Sequence, residues 1–474
     1  MPLLDRLKAL AGGLLADLRG AKRKGSFARH VALSMSDAML STLAQLLLTP
    51  LVARLYGPEA YGIYGLFISI STNLSLVAGL SYPNALLLPR EDEGFRALAR
   101  ATLALSVVMV VLMMPFFLWQ DLLLGLAPGW RVLGHWTYAI PPMVLVLAVM
   151  QLLYVWVARA KAFALNTKLG PATNVGLRLT NLGLGLVSHG AASGLMLGEL
   201  LVRTLSTIAY AVGLRRHGIE ALRTGYDLRD MRAALVEHRN QPLLVFPSRW
   251  LAIFSTQVPV FALTALHDTT GLGQFAMGSG LLLMPLRLLG YSLSGVIYQK
   301  AAETRANDPA AMGTITARLH GRLALLGVLP FTFITFFGDV VFRVLLGEAW
   351  ALAGSYTAVM GLFYYFRLLS EPLVTLFSVV GKERRMFRFY AGATLLNLLA
   401  VLLAMKLFGT AASVVIMFAA VNTLLYMQLS ARLLVISGAP WARPMLRSIA
   451  LLCAGSALFA ALRLALVGDL FPAL

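Results

Sequence analysis

Seven ionisable residues stand inside long apolar runs of this 474-residue chain, and they are where chemistry can reside. Arg203, Arg249, Arg287 and Arg367 are the bases; Asp37, Glu199 and Glu371 are the acids. A charge at bilayer depth costs about 2.5–3.5 kcal/mol on insertion scales, so each must face protein or a water-filled cavity. Guanidinium groups sharing one hydrated chamber would hold an anion through forked, charge-assisted hydrogen bonds, and a diphosphate matches that fork. Glu199/Arg203 and Arg367/Glu371 are each spaced i,i+4, on one helical face. For these pairs, a helix-sealing ion pair and a functional pair are equally good readings.

Arg249 and Arg287 have no acid at helical spacing on their own segments, which makes them the more informative pair. The competing roles are snorkelling to the interface for Arg249, and pairing with Asp37 or another acid for Arg287. Asp37 is either a coupling-ion carboxylate or a first-turn acid near the inner mouth; Glu199 and Glu371 are the other candidate coupling or ion-pair carboxylates. Asn73, Asn174, Asn181 and Gln257 offer hydrogen bonds to sugars or tie helices together. The seven histidines form no paired metal spacing, and no P-loop, nucleophile elbow or Gly-rich nucleotide fingerprint occurs. The expectation is a non-enzyme with no cofactor and no resident metal.

What positions these residues follows from composition. The chain is 59% hydrophobic and 13% charged, with a mean hydropathy of +0.77, against roughly 25% charged residues in a soluble domain. A soluble globule is excluded, and the long unbroken apolar runs exclude an alternating outer-membrane barrel. A bilayer-spanning helix needs about 20 apolar residues. Spans are expected at about 28–54, 61–82, 97–118, 137–158, 171–188, 191–213, 242–266, 273–298, 319–337, 354–380, 387–407, 410–431 and 446–467. The fold class is therefore all-α, a polytopic membrane protein of thirteen spans.

The net charge of +19 reflects topology rather than nucleic-acid binding. With the N-terminus placed inside, 31 of the 40 Lys and Arg, Arg178 among them, fall at inner loops and span ends. The outer side holds five: Arg54, Arg131, Arg343, Lys406 and Arg463. The positive-inside rule then puts the N-terminus in the cytoplasm. Within residues 1–27, Leu3, Leu7, Leu10, Leu14 and Leu18 share one helical face and precede Lys22-Arg23-Lys24, as in an amphipathic surface helix. Cys453 is the only cysteine, so no disulfide forms within the chain.

A weak repeat divides the rest. Pro50 and Gly57-Pro58-Glu59-Ala60-Tyr61-Gly62 correspond to Pro259 and Thr269-Thr270-Gly271-Leu272-Gly273, at offsets of 209 for the prolines and 211 for Gly62 and Gly273. Two six-helix bundles, 28–213 and 242–431, related by a pseudo-two-fold axis around a central cavity, follow from this, joined by an Arg-rich linker at 214–241. Residues 432–474 add at least one extra C-terminal helix. Parallel repeats of this kind occur in transporters.

The stretch from Thr49 to Tyr64, TPLVARLYGPEAYGIY, resembles the first-to-second helix signature of bacterial polysaccharide (Wzx-type) flippases, in the multidrug/oligosaccharidyl-lipid/polysaccharide exporter superfamily. Pro285-Leu286-Arg287 through Ser294-Gly295-Val296-Ile297-Tyr298-Gln299-Lys300, and Glu371-Pro372-Leu373 with Gly381-Lys382-Glu383-Arg384, are similar too. The resemblance implies alternating access and outward transfer of an undecaprenyl-diphosphate-linked oligosaccharide (O-antigen, capsule or exopolysaccharide repeat unit). It also implies a cationic lumen, for which Arg249, Arg287, Arg203 and Arg367 are the available positions. Implied partners are that lipid-linked sugar, membrane lipid, a polysaccharide polymerase and a chain-length regulator, with no nucleic acid. The competing functions are a cation-coupled multidrug exporter of the same superfamily, a peptidoglycan-precursor flippase, and a non-transporting scaffold of a polysaccharide assembly complex.

Overall fold

A computed structural model describes residues 27–89, 91–222, 225, 227–291, 297, 301–305, 307–308 and 310–469; of 27–44 and 289–291 it describes the backbone only. The expected amphipathic segment and basic run at the N-terminus, most of Ser294–Lys300 and the last five residues lie outside the described residues, and the Asp37 side chain does too.

Twelve long helices carry the fold: α1 (Phe27–Gly79), α2 (Asp92–Leu118), α3 (Ile140–Arg159), α4 (Phe163–Val187), α5 (Ala192–Gly213), α6 (Phe246–Ala265), α7 (Thr269–Pro285), α8 (Ala311–Leu346), α9 (Ala351–Ser370), α10 (Glu383–Leu407), α11 (Ala411–Ile436) and α12 (Ala442–Leu466). α1 supplies two spans. Gly57 breaks it with φ 71° and ψ 173°, a region that essentially only glycine enters, and Pro58 restarts the helix with a preset φ. Twelve of the thirteen expected spans fall on helices; the one expected at 273–298 is helical through Tyr291, and its end lies outside the described residues.

The first bundle packs α1 against α3, α4 and α5, with α2 on α3; the second packs α8 on α9, α9 on α11, and α6 on α10. Across the two, α1 packs on α7 and α6. Eight of the described helices are individually long and apolar enough to cross a bilayer. The long helices that fall short are α4, α6, α7 and α9. A bundle tolerates a polar or short spanning helix only where it lines water or protein, so these four belong at the interior.

With lipid as apolar as leucine, polar pairs and small residues hold such helices together. Asn422 donates to Asn397 Oδ1 at 2.7 Å and Asn397 to Ser255 Oγ at 2.8 Å, joining α6, α10 and α11. His320 contacts Ser430 at 2.8 Å, joining α8 to α11, and the Tyr365 hydroxyl donates to the Ser448 carbonyl, drawing α12 onto α9.

Two sequence expectations are corrected here. The fifth span begins at Phe163 rather than 171, so Arg178, expected at the inner end, stands past the middle of α4. Arg463, expected at the outer surface, is fully buried. Its Nη1 and Nη2 donate to the two Asp339 oxygens on α8 at 2.6 and 3.0 Å, and its Nε donates to Asp469 at 2.7 Å. That fork fastens the C-terminal helix to the second bundle.

Removing one partner of a buried pair strands the other charge, at a cost of about 3–5 kcal/mol. Asp339→Ala should lower the thermal unfolding midpoint of the detergent-purified protein, with the Asp339→Leu, Arg463→Met double variant recovering most of the loss. Equal midpoints for wild type and Asp339→Ala would remove the pair as the anchor of α12.

Candidate functional site

A cavity of about 510 Å³ lies between the bundles. Both limbs of α1 and parts of α4, α6, α7, α8 and α9 wall it. Tyr61, Tyr64, Gly65 and Ile68 follow i, i+3, i+4 and i+7, the spacing of one helical face.

Among the described residues three arginines reach it, and no Asp or Glu does: Arg178 from the first bundle, Arg287 and Arg367 from the second. Arg287 sits just past Pro285, which removes a backbone donor, and the chain widens there to π-helical geometry over Leu286–Tyr291. Single-turn π segments of this kind accompany functional positions. Arg287 is exposed, and its Nη1 donates to Gln45 Oε1 across the bundle interface at 3.4 Å. Arg367 is held differently. Its Nε bonds Glu371 at 3.1 Å, and its guanidinium carbon lies 5.7–5.9 Å from the ring centroids of Phe363, Tyr364 and Tyr426. Planar guanidinium stacks on such faces while keeping its charge.

The other expected site residues stand elsewhere. Arg203 does not line the cavity: its Nε donates to buried Glu199 at 2.8 Å, and Tyr64 donates its hydroxyl to the other Glu199 oxygen at 2.7 Å. Glu199 therefore ties α5 to the cavity wall from behind. Arg249 also lies outside the lining and is exposed. It precedes Thr256, which lines the cavity, by seven residues. Two turns set both on one helical face about 10 Å apart along the axis, so Arg249 continues the cavity stripe toward the arginine-rich end. Glu371 is the partner of Arg367, and the side chain of Asp37 lies outside the described residues.

Asn73 donates to Gln257, joining the second limb of α1 to α6 across the cavity. Asn181 is fully buried behind the wall. On the lining itself, Thr49 Oγ1 and the Tyr61 hydroxyl are buried without a hydrogen-bond partner among the described residues. Buried polar atoms normally have one; these two belong to residues that line the cavity.

The arginine-poor end is shut by contacts that repeat across the pseudo-two-fold. A Cβ at Gly62 would run into the Thr269 carbonyl, and one at Gly273 into the Pro58 carbonyl. Residues 62 and 58 map onto 273 and 269 at the repeat offset of 211, so the two bundles offer each other the same surface. Beside this seam, Arg54 Nη2 and Nε donate to the Val344 and Leu345 carbonyls at 2.9 and 3.2 Å, and Trp350 Nε1 to the Ala53 carbonyl at 3.1 Å. Arg54 thereby caps the last turn of α8, whose carbonyls have no partner within the helix.

The fold has counterparts among solved structures. A lipid II flippase, MurJ, in an inward closed conformation aligns with TM-score 0.64 over 93% of this chain and 100% of its own, at 12% identity. The inward-facing conformation of a multidrug resistance MATE transporter of the MOP superfamily aligns with TM-score 0.64 over 91% and 99%, at 14% identity. The chain has the fold of MOP-superfamily transporters. A third structure with this fold, a MOP superfamily transporter from Pyrococcus furiosus described as having a binding pocket of reverse polarity, aligns with TM-score 0.53 over 92% and 96%, at 14% identity. No family model and no curated protein sequence matches the chain.

Of the cavity cations, Arg178 escapes a reading that starts the fifth span at 171. Extending the helix back through Lys168 and Asn166 to Phe163, with Pro171 tolerated inside it, is the signal that finds it.

Gly273→Val should prise the seam apart, because the obstacle is backbone rather than a flexible side chain. The spin–spin distance between labels at Glu59 and Thr270 is then expected to lengthen relative to the Gly273 parent. An unchanged distance distribution would show that the seam does not set the closure.

Proposed function

We propose that this protein carries an anionic, lipid-linked sugar across the cytoplasmic membrane, the substrate being an undecaprenyl-diphosphate-linked oligosaccharide. The observation that supports it most is the sign of the cavity: three guanidinium groups from both bundles and, among the described residues, no carboxylate on the lining. An exporter of organic cations would place the opposite charge there. A diphosphate offers two bidentate edges to the arginine forks, while the unpartnered Thr49 and Tyr61 oxygens suit sugar hydroxyls. The lipid tail would remain in the bilayer, entering between the bundles.

In this reading the N-terminus and the arginine-rich end face the cytoplasm, as the positive-inside rule requires. The seam at Gly62 and Gly273 then closes the outer side, and substrate is loaded from within. Transfer requires the seam to part while the inner ends of the bundles approach, a rocking of one bundle on the other about the anion site. Arg249, on the stripe leading inward, would meet the diphosphate first; Arg178, Arg287 and Arg367 would hold it. Glu199 and Glu371 serve as ion-pair carboxylates that fix Arg203 and Arg367, which leaves Asp37 as the candidate coupling acid. The resulting product would be handed to a polymerase and chain-length regulator outside.

Arg287→Ala and Arg178→Ala should each weaken binding of the lipid-linked diphosphate by roughly 10- to 150-fold, the range for a hydrogen bond to a charged group. Surface polysaccharide should be lost while the protein stays abundant in the membrane. Lysine at either position restores transport only in part, since a point charge replaces a fork. Full transport by the Arg178→Ala, Arg287→Ala double variant in reconstituted vesicles would sink the anion-site reading.

A further inference from the structure

Away from the central cavity, a second basic pocket of about 600 Å³ opens at the arginine-rich end of the second bundle. Arg385 and Arg388 enter it from the first turns of α10 and Arg432 from the last turns of α11; Gln428 and Trp441 complete its polar rim, over a floor that includes Phe377 and Val435. No carboxylate lines it. All three arginines are exposed, and no hydrogen bond or ion pair engages them among the described residues. The functional reading above gives these three cations no role, and loop charge alone does not explain why two helices aim them into one concavity.

We infer that this pocket binds the headgroup of an anionic glycerophospholipid from the adjoining leaflet. Three observations converge on a lipid rather than a soluble anion. The pocket lies at the ends of α10 and α11 beside the exposed Trp441, and tryptophan anchors at membrane interfaces. Below the arginines, the outward faces of both helices are apolar. Arg385, Arg388, Gly392, Leu395 and Leu399 follow one helical face, on which Leu395 and Leu399 are more than half exposed. On α11, Gln428 and Arg432 share a face with Leu424, itself 62% exposed. A Cβ added at Gly392 would meet nothing within 4 Å, so that face is open at the step from head to tail. Phosphate oxygens on the forks and acyl chains along Leu395, Leu399 and Leu424 satisfy the whole surface at once. Basic pockets between spanning helices bind anionic headgroups by this combination.

The pocket shares no residue with the central cavity, so it stands whether or not that cavity carries the proposed substrate. Brominated lipids read it directly. The full chain in nanodiscs of phosphatidylcholine, doped with brominated phosphatidylglycerol, should show quenching of the Trp441 fluorescence component, defined by subtraction of Trp441→Phe. Brominated phosphatidylcholine at equal dose should quench it much less. Each of Arg385→Gln, Arg388→Gln and Arg432→Gln is expected to weaken apparent phosphatidylglycerol affinity about fivefold, compounding in the triple variant. Binding of the lipid-linked diphosphate in the central cavity should be unchanged by the triple variant.

Equal quenching by both brominated lipids, or an unaltered triple variant, would overturn the assignment. Displacement of the brominated lipid by millimolar inorganic phosphate would overturn it in favour of a soluble anion. Displacement by undecaprenyl diphosphate at lower dose than by unlabelled phosphatidylglycerol would give the pocket to the carrier lipid instead.

Discussion

A guanidinium group cannot be left facing hydrocarbon, and most of this architecture follows from where that constraint sends each arginine. Each buried cation has one of three fates: a carboxylate, a set of aromatic faces, or water. Arg463 takes the first fully, through both oxygens of Asp339 and one of Asp469, and becomes structural. Arg367 takes the first two together, with Glu371 on its Nε edge and three rings around its plane. Arg287 reaches the cavity and donates to the neutral amide of Gln45.

α4, α6, α7 and α9, which fall short of a lone bilayer span in length or hydropathy, all contribute to the cavity wall. Pseudo-symmetry then makes the space adjustable. Because Gly62 meets Thr269 as Gly273 meets Pro58, the seam has two matched halves. Interfaces of this self-complementary kind part as a unit, since a shift that strains one contact strains its mate equally. Arg54 and Trp350 add directional bonds to main-chain carbonyls, which give the closed form a defined register without apolar adhesion.

How much of this was legible before any coordinates depends on what each signal measures. Apolar run length reports lipid contact, so the spans and their approximate order were readable. The 211-residue offset between Gly62 and Gly273 reports backbone contact, since only close approach demands glycine on both sides; its consequence, that the two meet each other, required the fold. Helix starts are weakly encoded where a polar first turn precedes the apolar stretch, which is why Arg178 read as a loop charge although α4 runs from Phe163. Arg463 read as an outer charge because its partners, Asp339 and Asp469, are found 124 residues before it and six after, and no local spacing links all three. The i,i+4 pairs were local and therefore visible. What sequence left undecided was whether the cavity touched them. It touches Arg367 and passes Arg203 by.

That last difference carries the functional argument. Arg203 and Arg367 have the same chemistry and mirrored acid spacing, yet Glu199 is buried behind the wall and held by Tyr64 as well, whereas Glu371 binds only one edge of a guanidinium that the cavity reaches. Arg367 is held by Glu371 and three rings, Arg287 stands on a π-helical turn of the same bundle, and Arg178 stands across the interface on the opposite bundle. Separation of the bundles would change the number of guanidinium groups that reach a bound anion. The coupling between conformation and affinity that alternating access requires is then a direct result of placing the charges on different rigid bodies.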